Sequence, residues 1–195
     1  MSYSQGGEEA AILEYFGEYR GRFIDVGAYD FKAFSNVRAL AERGWGGVLV
    51  EPDPQAFACL LTNCPPAAFP NVRAVCVAVM SEPGLTDFAL ASAVSTAVPA
   101  HRAKWAGAAE YRDITVAGVT PWTLLERFPP TYDLFSLDVE GMNLALLERF
   151  PLNAMGLQCL CVEHDGQQAR VRELAAAAGL KRELLHNAEN LVLAR

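Results

Sequence analysis

Helices packed on both faces of a mostly parallel β-sheet, an α/β fold, are what this sequence predicts, and three observations carry the prediction. Short apolar runs alternate with helical patterns along most of the chain, as in strand–helix–strand units. The runs are apolar nearly throughout rather than at every second residue, as in strands buried on both faces. The last two runs flank the turn-like HNAEN at 186–190, which closes a terminal antiparallel pair. The 195 residues suit a single domain, 1–195, with no internal repeat.

The elements follow in order. A first helix is expected over 8–19, then a buried strand over 22–26 that stops at Asp25-Val26-Gly27, where the chain must turn tightly or let a ligand approach its backbone. Strands are expected at 46–50, 72–79, 132–137 and 157–162, with helices at 34–42, 54–63, 121–127, 144–150 and 167–178. Asp53 before Pro54 caps the third of these helices counted from the N-terminus, with proline in its first turn. Between strands 72–79 and 132–137 lies a long insertion, 81–120, with a hairpin-like 86–90, a Ser/Ala-rich stretch and a short strand at 113–116. Excursions of this length at the carboxyl edge of a sheet cover binding sites. The terminal pair is 180–185 with 191–194.

Composition narrows the function. Hydrophobic residues make up 52% and charged residues 20%, which is globular and excludes a disordered or fibrous chain. The net charge of -7 and pI near 5.0, with scattered basic residues, exclude a phosphate-backbone partner. The five cysteines match neither a zinc signature nor a disulfide framework and read as reduced packing residues of a cytoplasmic protein. No basic residue precedes Arg20, and the uncharged run 88–100 is too short and too rich in Ser and Thr to span a bilayer. Neither an export signal nor a membrane anchor is expected.

The strand ends share a chemistry. FIDVG holds Asp25, GVLVEPDP holds Glu51, LFSLDVEG holds Asp138 and Glu140, and CLCVEHDG holds Glu163, His164 and Asp165. In an open α/β sheet such side chains converge on one crevice near the switch point. Glu51, at the end of the second strand, stands where a Rossmann-like fold places the acid for two ribose hydroxyls. Only Gly27 remains of the glycine fingerprint that a pyrophosphate needs. A nucleoside without phosphate that carries a cation fits better, and S-adenosylmethionine, with its sulfonium and ammonium groups, is that ligand.

YSQGGEE, FIDVGAYDFKAFSN, GWGGVLVEPDP, YDLFSLDVEGMN and LCVEHDG, in this order, resemble the FkbM-type methyltransferases, a branch of the class I S-adenosylmethionine-dependent enzymes. The resemblance runs from Tyr3 to about Asp165. It implies a Rossmann-like seven-stranded sheet with an antiparallel last strand, and methyl transfer to a hydroxyl of a small molecule such as a sugar or natural product. It implies a cofactor pocket of Gln5, Asp25, Gly27, Tyr29, Glu51, Pro52 and Ala78, with Asp138. It places Asp138, Glu140, Glu163 and His164 as the catalytic set facing the methyl group and the acceptor. Two positions depart from the family pattern: Phe31 stands where glycine is usual, and Asn143 where glutamate is usual. A ring at position 31 is expected to crowd the loop, and Asn143 removes a carboxylate.

Methyl transfer asks the protein to align the acceptor and take its proton. His164 is the leading base because an unperturbed imidazole titrates near neutrality. A divalent ion held by Asp138 with Glu163 or His164 is the alternative and is not predicted. Trp105, Tyr111 and Trp122 lie in or beside the insertion, where core packing is the commoner role of such aromatics and an apolar wall for the acceptor the other, and Ser95, Thr96, His101 and Arg102 are expected to form the polar part of the lid. The expected partner is the small-molecule acceptor, and a homodimer is compatible with the chain. Two competing readings stand beside the enzyme: a degenerate fold that binds a partner protein without a cofactor, and a nicotinamide-binding protein, against which the missing glycines argue.

Overall fold

A computed structural model describes residues 2–105, 107–128 and 131–195; Met1, Ala106, Pro129 and Pro130 lie outside the described residues, Ala106 being the one point of the predicted insertion so affected. The first half of the chain forms α1 (Glu8–Phe16), β1 (Arg22–Val26), α2 (Arg38–Glu42), β2 (Gly46–Val50), α3 (Pro54–Asn63), β3 (Val72–Val75), β4 (Ala78–Val79) and β5 (Gly84–Leu90). The second half forms α4 (Pro99–Lys104), β6 (Arg112–Val119), α5 (Pro121–Arg127), β7 (Leu134–Leu137), α6 (Asn143–Leu147), β8 (Cys159–Glu163), α7 (Gln168–Ala177), β9 (Arg182–His186) and β10 (Asn190–Ala194).

Seven strands make the main sheet in the order β3-β2-β1-β7-β8-β10-β9. All are parallel except β10, which runs antiparallel between β8 and β9. This is the Rossmann-like α/β fold expected, and the strand order reverses between β1 and β7, the switch point beside which ligands bind. Alternating side chains feed two cores. Ile24 and Phe135 join one apolar cluster, and Phe23 and Leu134 join the other. Each such side chain contributes about 1.5 to 3 kcal/mol by leaving water, which explains why the central strands carry few polar residues.

Differences from expectation have local causes. α1 ends at Phe16 rather than at 19, because Gly17 leaves the helical conformation at φ 54°. The helix expected over 34–42 shrinks to Arg38–Glu42, since Tyr29, Phe31 and Phe34 all take left-handed backbone angles and turn this stretch into a loop. The strand expected over 72–79 divides. Val72–Val75 pairs with β2, whereas Ala78–Val79 joins a second, three-stranded sheet in the order β4-β6-β5. In that sheet β5 and β6 pair antiparallel from Gly84↔Gly118 to Leu90↔Arg112. The insertion is therefore one long hairpin whose connection carries α4, where the sequence predicts a polar loop. Asp53 caps α3 as expected, accepting from the amides of Gln55 and Ala56 at 2.7 and 3.2 Å. All five cysteines are free, with Cys64, Cys159 and Cys161 buried. Among the described residues no helix is long and apolar enough to cross a membrane.

Candidate active site

A cavity of about 340 Å³ opens at the carboxyl ends of β1, β2, β7 and β8. Its wall contains Gln5, Asp25, Gly27, Tyr29, Glu51, Pro52 and Ala78 together with Asp138, Glu140, Glu163 and His164. The fold thus gathers every residue that the sequence singled out for the cofactor or the chemistry.

The backbone of the switch point explains Gly27. The amides of Gly27 and Ala28 both donate to the Val50 carbonyl, at 2.9 and 3.0 Å, and the Asp138 amide donates to the Val26 carbonyl at 2.9 Å. Gly27 sits at φ 89°, and a Cβ there would collide with the Asp138 carbonyl oxygen. Glycine is required because β1 and β7 leave no room, which keeps both turns at the mouth of the cavity.

Glu51 is held by backbone. Its Oε2 accepts from the Tyr29 amide and its Oε1 from the Asp53 amide, both at 2.8 Å. Each oxygen keeps a further lone pair, so a fixed carboxylate faces the cavity with capacity for two hydroxyl donors. Burial pushes its pKa up to about 7, with the two amides offsetting part of the cost. Asp25 is likewise pushed up to about 7 by burial, with Ser136 opposing.

The wall at the β7 and β8 ends is more crowded. Burial, then the charge of Glu140, raises Asp138 to about 7. Burial, then Asp138 and Asp165, raises Glu163 to about 9, and burial, then Glu163, raises Glu140 to about 8. Among the described residues, Oδ1 of Asp138 is a buried polar atom without a hydrogen-bond partner; Tyr132 Oη, away from the cavity, is the other. An orphaned carboxylate oxygen costs free energy unless a ligand uses it.

Asn143 organises these acids. Fully buried, it accepts from the Val139 amide at 2.8 Å and donates through Nδ2 to Glu163 at 2.7 Å and to Asp165 at 3.0 Å. The departure from the family pattern removes a carboxylate and supplies two donors in its place. Phe31 does not crowd the loop as expected. It takes φ 62°, and its ring is buried in the core, edge-on to Phe69 at 5.4 Å with the Arg38 guanidinium 5.0 Å over its face.

His164 is placed differently from a base at the mouth. Its Nδ1 accepts from the Gly166 amide at 3.0 Å, and its Nε2 lies 3.3 Å from the Asn187 carbonyl, to which it donates. Both ring nitrogens are committed to backbone, and the ring braces the β9–β10 turn. That turn supplies Ala188, Glu189 and Asn190 to the cavity wall, a contribution the sequence reading missed. Glu8 anchors it from the other side, accepting from Asn187 and Asn190 side-chain amides at 2.7 and 2.9 Å, and thereby seats the N-terminal arm that brings Gln5 to the wall.

The insertion lines one side of the cavity. Ser95 Oγ donates to Asp53 at 3.1 Å, Thr96 Oγ1 donates to the Glu140 carbonyl at 2.8 Å, and Lys104 and Trp105 of the α4 end line the cavity. Trp122 takes no part in an apolar wall: it lies on α5 with 60% of its surface exposed. A more open hollow of about 600 Å³ adjoins on the far side of residues 92–94 and Trp105. Among the described residues no three His, Cys, Asp or Glu side chains are grouped to hold a metal ion.

Comparison with known proteins agrees with this geometry. The sequence model described as the methyltransferase FkbM domain matches residues 25–177, and no curated protein matches the chain. Solved structures share the fold, among them three. The METTL16 methyltransferase domain is 15% identical, with 96% of this chain and 63% of that one covered and a TM-score of 0.50. The ribosomal protein L11 methylase from Lactobacillus delbrueckii subsp. bulgaricus is 8% identical, with 96% and 75% covered and a TM-score of 0.51. The N-terminal domain of human METTL16 in complex with SAH is 13% identical, with 96% and 65% covered and a TM-score of 0.50. The chain thus spans slightly less than two thirds of the METTL16 chains.

Proposed function

The chain belongs to the FkbM methyltransferase family, and from that premise we propose that it moves the methyl group of S-adenosylmethionine to a hydroxyl of a small molecule such as a sugar or other natural product. The cavity suits this cofactor through the Glu51 carboxylate, which retains lone pairs for two ribose hydroxyls, and through Asp25, which answers a cationic methionine end. When bound, S-adenosylmethionine supplies a methyl group activated by its sulfonium.

The single observation that carries the reaction is Asp138 Oδ1, a buried carboxylate oxygen with no partner at a cavity wall. A hydroxyl acceptor must lose its proton as its oxygen is methylated. Asp138, pushed up to about 7 by burial, takes that proton at Oδ1 with a pKa matched to neutral solution. His164, bonded through both nitrogens, does not compete for the role. Asn143 and Glu163 fix the acidic wall, and the lid excludes water from it. The excess of carboxyls over the one lysine on the wall disfavours anionic acceptors.

The test is release of SAH from S-adenosylmethionine in the presence of a panel of hydroxylated sugars and natural products, with wild type and Asp138→Asn, with and without chelator. Asp138→Asn is expected to transfer roughly 10² to 10⁴ times more slowly at saturating S-adenosylmethionine, and chelator to have no effect. Full activity of Asp138→Asn would remove the base from this residue, and collapse on chelation would replace it with a metal ion.

A further inference from the structure

Among the described residues five large apolar side chains are left exposed, and Phe34 is the one of them that borders the cavity. Half of its surface, 50%, meets solvent. A ring left in this state carries unburied apolar area, and a ligand laid on it recovers the free energy of covering that area. The Tyr29 ring lies beside it, 6.3 Å between centroids and 20° from parallel, and it too lines the cavity. The two rings present one flat apolar surface at the wall.

The chain is strained to hold them there. Among the described residues six that are not glycine take left-handed backbone angles, and five of these, Tyr29, Phe34, Ser92, Glu140 and Asp165, line the cavity. For a bulky side chain this conformation persists only where neighbours hold it. Tyr29 is tied by its amide to Glu51 and by its hydroxyl to Ser92 Oγ of the insertion, both at 2.8 Å. Before Phe34, Asp30 Oδ1 accepts from the amides of Lys32 and Ala33 at 2.7 Å each, and after it Ser35 Oγ accepts from the Arg38 amide at 3.1 Å. The loop also has a direction. It leaves the β2 end, where Tyr29 meets Glu51, and crosses to β7, where Asn36 Nδ2 donates to Ser136 at 3.3 Å. Phe34 lies on this crossing, two residues before Asn36, toward the strand whose end carries Asp138. Pro52 and Ala78, the pocket residues left for the base of the nucleoside, follow β2 and β3 on the other flank.

We propose that Tyr29 and Phe34 form a stacking platform for the methyl acceptor, which carries its hydroxyl on a ring with a flat apolar face, an aromatic ring or the C–H face of a sugar, rather than on an acyclic chain. The inference rests on the hydroxyl-transfer reading above. Rings fixed by the loop orient such an acceptor at little ordering cost, while the Asp138 oxygen is left for its proton.

NMR of ring-labelled phenylalanine in the full chain saturated with SAH tests the proposal, the Phe34 signals being assigned by their loss in Phe34→Leu. Catechol and methyl β-D-glucopyranoside are the ring probes, and glycerol is the acyclic control. At least one ring probe should shift the Phe34 signals saturably while glycerol at the same concentration leaves them in place; a response to catechol alone marks an aromatic acceptor, and to the glucoside alone a sugar. Followed through the probe's own signals, Phe34→Ala should bind the responding probe roughly three- to tenfold more weakly and Phe34→Trp should restore it, with SAH affinity the same in both variants. No shift from either ring probe, an equal shift from glycerol, or unchanged probe affinity in Phe34→Ala overturns the proposal. A loss of SAH affinity in Phe34→Ala that Phe34→Trp restores also overturns it, because the platform then serves the cofactor. Wild type that fails to bind SAH would remove the methyltransferase reading itself, so the two failures are distinguishable.

Discussion

Asn143 lies between Glu163 and Asp165, and its amide does there what a carboxylate cannot: it donates to both. Asn143→Asp keeps the acceptor for the Val139 amide but removes two buried donors and adds a charge beside two carboxyls. The expected cost at pH 8 is about 2 to 4 kcal/mol, read as a melting temperature lower by roughly 5 to 15 °C. An unchanged melting temperature would mean that the acids find other partners. Residues of this kind mark where the sequence could be read and where it could not. The acids at strand ends were legible because their position follows from chain order and fold class. His164 was legible as a position but not as a role, since the carbonyl of Asn187 that occupies its Nε2 lies on a turn whose approach only the folded chain fixes. Phe31 was legible as a departure, but not that its ring would enter the core while its backbone took the left-handed angle a glycine takes freely.

At the scale of elements, the N-terminal arm and the β9–β10 turn act as one unit. Glu8 is buried, and its hydrogen bonds from Gly6, Asn187 and Asn190 outweigh burial to hold its pKa below the usual carboxylate range. Glu8→Ala should strand the two side-chain amides at a cost of about 2 to 3 kcal/mol. It should also loosen the wall at residues 188–190, so hydrogen exchange there and in residues 2–7 should accelerate and SAH affinity fall. Protection equal to wild type would show that the arm does not depend on this carboxylate. The turn itself was legible from HNAEN, whereas its place at the cavity was not. Strand 72–79 illustrates the same limit. Its apolar run is continuous, and the break at Cys76 and Val77 arises because Ala78 pairs with Gly118, a partner distant in sequence.

Across the whole molecule, five carboxyls that share one cavity are raised together: Asp25, Glu51 and Asp138 to about 7, Glu140 to about 8 and Glu163 to about 9. In the unfolded chain they ionise near 4. Between those limits the folded state binds more protons than the unfolded one, so stability falls as pH rises. Glu8 has the opposite sign, but its effect is confined to pH below its ordinary value of 4.5. The unliganded protein should therefore melt at a lower temperature at pH 9 than at pH 5, and a melting temperature that rises over this range would contradict the buried-acid description. The fold and its crevice were legible from the sequence because strand order and helix placement follow from patterning repeated along the chain, while the lid and the proton positions depend on single long-range contacts. The proposed function requires the Glu51 carboxylate to seat the nucleoside of S-adenosylmethionine. Calorimetric titration of SAH at pH 8 into wild type and Glu51→Gln measures this. One-site binding to wild type is expected, with an affinity lower by about 1.5 to 3 kcal/mol, roughly ten- to a hundredfold, in the variant; no binding to wild type, or equal affinity in the two proteins, would place the nucleoside elsewhere.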